Sequence, residues 1–265
     1  MISALLLSLM AQASSADLSA LDAYLPPATV EEDRLTLCLG EATSDPSNAI
    51  VTASTWLAEA HDAAERSFPQ QCLGMAYTRL LRWSAAEQAF LDARNGTLEW
   101  NQTVRGRLAA MAGNSALAEG RAEDALASFT LAEQDAAKAG DKLLAGEVQV
   151  DRSRALVALD HTAEADAALA NARRDAPQNS DAWLLSATLA RRTGDLERAQ
   201  GQIATAAGLD PTNPLIGLEA GVIAVLGGRD DAARQSWQSV IELAPDSAEA
   251  KTARGYLKQL EEPQS

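Results

Sequence analysis

Two cysteines, Cys38 and Cys72, each open the triplet Cys-Leu-Gly, and the triplets lie 34 residues apart. Thiols can cross-link, ligate a metal or act as nucleophiles, and the residues around them decide which. The only histidines, His61 and His161, have no neighbour at metal or nucleophile spacing and read as solvated or capping side chains. The sequence contains no Cys-x-x-Cys, His-Glu-x-x-His, Walker loop or Gly-x-Ser-x-Gly, and no Gly-x-Gly-x-x-Gly after a strand. Acidic groups such as Glu31-Glu32-Asp33 and Asp230-Asp231 fall at helix starts, where the helix dipole favours them. These residues point to no catalytic centre, no metal and no cofactor. They leave the cysteine pair as the one candidate for covalent chemistry.

The elements that carry these residues are set by a repeat. An alanine column reads Ala86, Ala125, Ala165, Ala199 and Ala233, at spacings of 39, 40, 34 and 34. Four residues after each alanine stands Phe90, Phe129, Leu169, Ile203 or Trp237. Twelve residues before each stands a small residue: Gly74, Gly113, Ser153, Ala187 or Gly221. Small side chains let two antiparallel helices approach closely, and the bulky residue is expected to fill the space between repeats. Extra residues around 96–105 and 140–144 read as lengthened helices or turns. Pro177, Pro211 and Pro245 each stop a second helix, Asp45-Pro46 and Asn213-Pro214 start helices, and Ser84 to Glu87 has capping-box spacing. No segment alternates with period two, so no sheet is expected.

Leu73-Gly74, Tyr77, Ala86 and Phe90, and the run from Gly113 through Gly120-Arg121, Ala125 and Phe129, resemble the tetratricopeptide repeat. The resemblance spans roughly residues 33 to 260. It implies an all-α solenoid of about six helix pairs in a right-handed superhelix, closed by a C-terminal capping helix. The expected organisation is an export signal over 1–16, a lead segment over 17–32, repeats over 33–245, and a capping helix with tail over 246–265.

The resemblance also implies that first-type helices line a concave groove that binds protein or extended peptide. Its register places Arg79, Arg107, Asn114, Arg154, Arg191 and Arg192 in that groove, with Leu218, Val222 and Val225 at one end. Five arginines on one face would hold acidic groups or a free carboxylate. The blander reading is that Glu147, Asp151 and Asp181 neutralise them. One branch of the family clamps a carboxylate with lysines and asparagines. Here Asn114 is the one match and the groove columns hold no lysine, so that activity is not carried over.

Lys and Arg number 22 against 37 Asp and Glu, giving a net charge of −15. With no basic run to oppose that field, nucleic acid and anionic membrane surfaces are excluded as general partners. Residues 4–10 form a short apolar core followed by the small-x-small sites Ala11-Gln12-Ala13 and Ser14-Ser15-Ala16, the pattern of an export signal. The core is too short to span a bilayer. The expected location is the periplasm or the medium, where Cys38 and Cys72 would be expected to cross-link. Equivalent positions in stacked repeats lie about 8–10 Å apart, whereas a disulfide needs Cα atoms about 4.4–6.8 Å apart. Either the first repeat tilts out of register or the thiols stay free as core residues.

The expected function is a non-catalytic scaffold or adaptor of the cell envelope. Two other readings stand beside it: a subunit held permanently in a larger envelope complex, and an enzyme or small-ligand receptor using the N-terminal segment. Mass spectrometry of an envelope fraction should find mature protein beginning at Ser14 or Asp17; an intact Met1 on cytosolic protein would refute export.

Overall fold

The computed structural model describes residues 29–261. The proposed export signal, and the lead segment up to residue 28, lie outside the described residues. Thirteen helices and no strand occupy the described residues. Six antiparallel pairs follow one another. They are α1 (Val30–Ser44) with α2 (Pro46–Glu59), α3 (Ala63–Arg79) with α4 (Trp83–Gly96), and α5 (Gln102–Ala118) with α6 (Ala122–Ala139). Next come α7 (Lys142–Ala158) with α8 (Thr162–Asp175), α9 (Ser180–Arg192) with α10 (Leu196–Leu209), and α11 (Pro214–Leu226) with α12 (Asp230–Leu243). A single helix, α13 (Ala248–Glu261), ends the array. Apart from α1, each helix packs mainly on its neighbours in sequence, which is the signature of a solenoid.

The alanine column is fully buried at Ala86, Ala125, Ala165, Ala199 and Ala233. The bulky column packs against the next pair as expected, Phe90 with Leu108, Phe129 with Leu144 and Val148, and Ile203 with Ile216 and Ile223. Its aromatic rings also lie over the small residue of their own pair. A Cβ added at Gly113 would sit 2.5 Å from Phe129 Cε1, and one at Gly74 or Gly221 would collide with Phe90 or Trp237 as severely. Trp237 also donates its indole N–H to the Leu218 carbonyl at 3.1 Å and meets Tyr256 of α13 at 5.1 Å between ring centroids.

Five of the six pairs turn through a three-residue connection whose middle residue is left-handed: Leu81, Gly120, Asp160, Gly194 and Gly228. Leu81 and Asp160 hold φ of 56° and 61° with a side chain, at a cost of about 1–2 kcal/mol each. The first pair differs. Asp45 alone joins α1 to α2, at φ −141°, and its side chain caps the Asn48 amide. With this other turn, α1 leans on α3 far more extensively than other first-type helices meet one another, and it packs less on its own partner α2. Trp56 of α2 therefore stacks on Phe68 of α3, at 6.3 Å, rather than covering Gly40, beside which a Cβ would find open space. The tilt brings the Cys38 and Cys72 Cα atoms to 5.9 Å, and the two are joined as a disulfide. Both cysteines are buried.

Proline and asparagine signals read correctly: Asn213 caps α11, and Asp45 caps α2. The capping box expected at Ser84 does not form. Arg82 holds the N-cap position, and the Ser84 hydroxyl instead donates to Glu119 at 2.6 Å. A capping box occurs elsewhere, between Thr29 and Glu32. The lengthened connection after α4 is tied down by charge. Arg94 makes a two-point contact with Asp135 of α6, at 2.7 and 3.1 Å, and Arg105 donates to the Arg94 and Thr97 carbonyls.

Closing the loop between Cys38 and Cys72 should stabilise the fold by about 3–4 kcal/mol in the chain-entropy picture. Because coupling runs between neighbours, Cys72→Ser should raise hydrogen exchange in α1 and α2 and leave α9 to α13 unchanged. A uniform rise along the chain would contradict this.

Candidate functional site: the concave face

The tetratricopeptide resemblance puts the expected groove on one face each of the first-type helices α3, α5, α7, α9 and α11. The five arginines placed there by register divide into two groups. Arg154 and Arg191 are already paired. Arg154 meets Asp151 at 2.5 Å on its own helix and Asp181 of α9 at 3.2 Å. Asn114 of α5 donates to the other Asp151 oxygen at 2.8 Å. A polar chain thus runs Asn114, Asp151, Arg154, Asp181 across three successive first-type helices. Arg191 makes a two-point contact with Glu219 of α11, at 2.6 and 3.3 Å. Asp151 and Asp181 were legible as neutralisers in the sequence. Glu219 was not, although it stands one repeat on, opposite Arg191.

Arg79, Arg107 and Arg192 are exposed and make no ion pair among the described residues. Leu218, Val222 and Val225 are partly buried against the Trp237 and α13 cluster. Val150 and Leu184, on the same two helices as Arg154 and Arg191, are buried in the core. Between α7 and α9 the face opens into a cavity of about 190 Å³. Val157, Leu169, Leu185 and Leu189 form its walls, and Thr188, Arg154 and Arg192 stand around it.

The remaining chemistry is sparse. His61 and His161 are exposed and lie beside Glu65 and Glu164, at 3.2 and 3.3 Å. Among the described residues no three metal-ligating side chains converge, and no helix is long and apolar enough to cross a membrane.

No family model and no curated protein matches the sequence. Solved structures do. PilF of Pseudomonas aeruginosa is 16% identical with a TM-score of 0.66, over 85% of this chain and 97% of that one. PilW, a widely conserved type IV pilus biogenesis factor, is 15% identical with a TM-score of 0.66, over 86% of this chain and 100% of that one. YrrB, a TPR protein with an unusual peptide-binding site, is 18% identical with a TM-score of 0.50, over 77% and 97%. The chain has the tetratricopeptide-repeat fold. Within that fold the helix pairs, the left-handed turns and the single closing helix are all accounted for. At these identities the likeness speaks to architecture, and the groove chemistry of this tetratricopeptide array rests on its own side chains.

One of those side chains is proton-sensitive. Burial pushes the Asp151 carboxyl above the usual aspartate value, while the hydrogen bond from Asn114 and the Arg154 charge pull it down. A carboxyl whose folded pKa is raised favours the fold in acid, and that contribution is lost as pH rises through the folded value. Unfolding free energies of wild type and Asp151→Asn, compared by urea titration, should therefore shift in favour of wild type as pH falls from about 7 towards the aspartate range near about 4. A difference that stays flat with pH would contradict the assignment.

Proposed function

We propose that the chain is a non-catalytic adaptor that holds an extended segment of a partner protein along its concave face. The observation that carries this reading is the set of exposed, unpaired arginines, Arg79, Arg107 and Arg192, on one face of a protein of net charge −15. A local positive strip in an acidic field recruits carboxylates and sets the register of the bound segment. Arg154 and Arg191 take the role of rigid walls, since Asp151, Asp181 and Glu219 already hold them. The likeness to YrrB, with its peptide-binding site, agrees with an extended ligand.

The Cys38–Cys72 disulfide supports an oxidising compartment, the periplasm or the medium, because cytosolic thiols are kept reduced. The likeness to PilW, a pilus biogenesis factor, fits an envelope setting. Both cysteines are spent in the disulfide, which weighs against thiol chemistry in the N-terminal segment. A permanent place in a larger complex is favoured by one feature, the connection after α4, where Leu98 and Trp100 are 52% and 79% exposed.

Affinity capture from the native envelope tests the groove. The triple variant Arg79→Glu, Arg107→Glu, Arg192→Glu should lose the partners that wild type retains, most of all at low salt, with helicity unchanged. Trp100→Ser should keep them. Equal capture by wild type and the triple variant would overturn the groove reading, and loss with Trp100→Ser alone would favour the permanent-subunit reading.

A further inference from the structure

The cavity between α7 and α9 carries the inference furthest, and it rests on the groove reading above. Its volume of about 190 Å³ is below the roughly 300–1,000 Å³ of sites that enclose a whole small ligand. It has room for one bulky side chain. Its walls, Val157, Leu169, Leu185 and Leu189, are apolar. At the floor, the Ser153 hydroxyl already donates to the Val150 carbonyl at 2.6 Å. Apart from the Thr188 hydroxyl the lining between the two arginines is apolar, so a polar side chain placed there would lose most of its water without replacement.

The rim is different. Arg154 is held by Asp151 and Asp181. Arg192, also on the rim, is exposed and has no ion pair among the described residues. One free guanidinium accepts one carboxylate in a two-point contact. A run of acids would meet the repulsion of a molecule with net charge −15 and of Asp151 and Asp181 beside the cavity.

We propose that this cavity is the specificity pocket of the groove, and that it reads one bulky apolar side chain with a single carboxylate one or two residues away, the apolar group entering between Val157 and Leu185 and the carboxylate pairing with Arg192. The carboxylate is either an acidic side chain or a chain terminus; both present the same two oxygens to the guanidinium.

The test uses the full-length protein and a fluorescent positional-scanning library of twelve-residue peptides, read by anisotropy, with free and amidated C-termini. Wild type should select a bulky apolar residue with one nearby acid. If the free and amidated libraries select equally, the acid is a side chain; if only the free library does, it is the terminus. Thr188→Trp, which closes the mouth of the cavity, should lower the apolar preference by roughly tenfold or more. The milder Thr188→Leu should lower it in the same direction, and circular dichroism checks that both variants are folded. Arg192→Gln should abolish the preference for the acid and keep that for the apolar residue. Peptide binding that shows no apolar preference, or an apolar preference that is the same in wild type and both Thr188 variants, would overturn the pocket and leave the groove reading standing. If no peptide in either library binds wild type, the groove reading falls and the pocket with it.

Discussion

The contact that sets the geometry of three of the six helix pairs is an aromatic ring lying over a glycine. Phe90 over Gly74, Phe129 over Gly113 and Trp237 over Gly221 bring the two helix backbones as close as a missing Cβ allows. A ring in that position fixes spacing and rotation together, because sliding either helix by a residue would drive a Cβ into the ring. A left-handed residue in a three-residue turn reverses the chain in these pairs, and the same turn joins the Ser153–Leu169 and Ala187–Ile203 pairs, where small aliphatic packing replaces the ring. Where a side chain occupies that turn position, at Leu81 and Asp160, the packing of the pair outweighs the local strain.

The periodic part of this arrangement was readable from the residues alone. Alanine, small and bulky columns and the prolines that follow each second helix locate the pairs because the packing that buries them is local and repeated. The departures arise where a contact is singular. Arg94 and Asp135, 41 residues apart, look like two more surface charges until successive second-type helices bring them together. The tilt of the first pair hangs on a single residue, Asp45, replacing a three-residue turn, and the columns themselves continue through Gly40 as though nothing changed. In the groove, the register placed the arginines but could not tell which were spoken for. Arg154 has Asp151 of its own helix and Asp181 of the next within reach, whereas Arg192 has neither kind of partner, and the reach across a helix interface depends on side-chain direction rather than on spacing.

Charge has two jobs here. The excess of acid gives the molecule a net charge of −15, which favours solubility. The inter-helix pairs Arg154–Asp181, Arg191–Glu219, Arg198–Asp166 and Arg121–Glu87 join one repeat to the next with little net stabilisation, since most are partly exposed. Their value lies in geometry: each holds neighbouring repeats at one rotation, so that the curvature of the groove, and the spacing of the cations left free on it, is the same in every copy of the molecule.

The disulfide gives this linear molecule a polarity. In a stack whose units touch only their neighbours, fraying starts at an end and travels inward. One end is stapled across two repeats by Cys38–Cys72, while the other is closed by α13, which is held by non-covalent packing alone, Ala250, Ala253 and Tyr256 against the Trp237 cluster. Pulled or heated, the chain should unzip from its C-terminus towards the staple. A protease meeting the breathing molecule would trim it from that side, leaving a disulfide-bound N-terminal core as the last folded fragment.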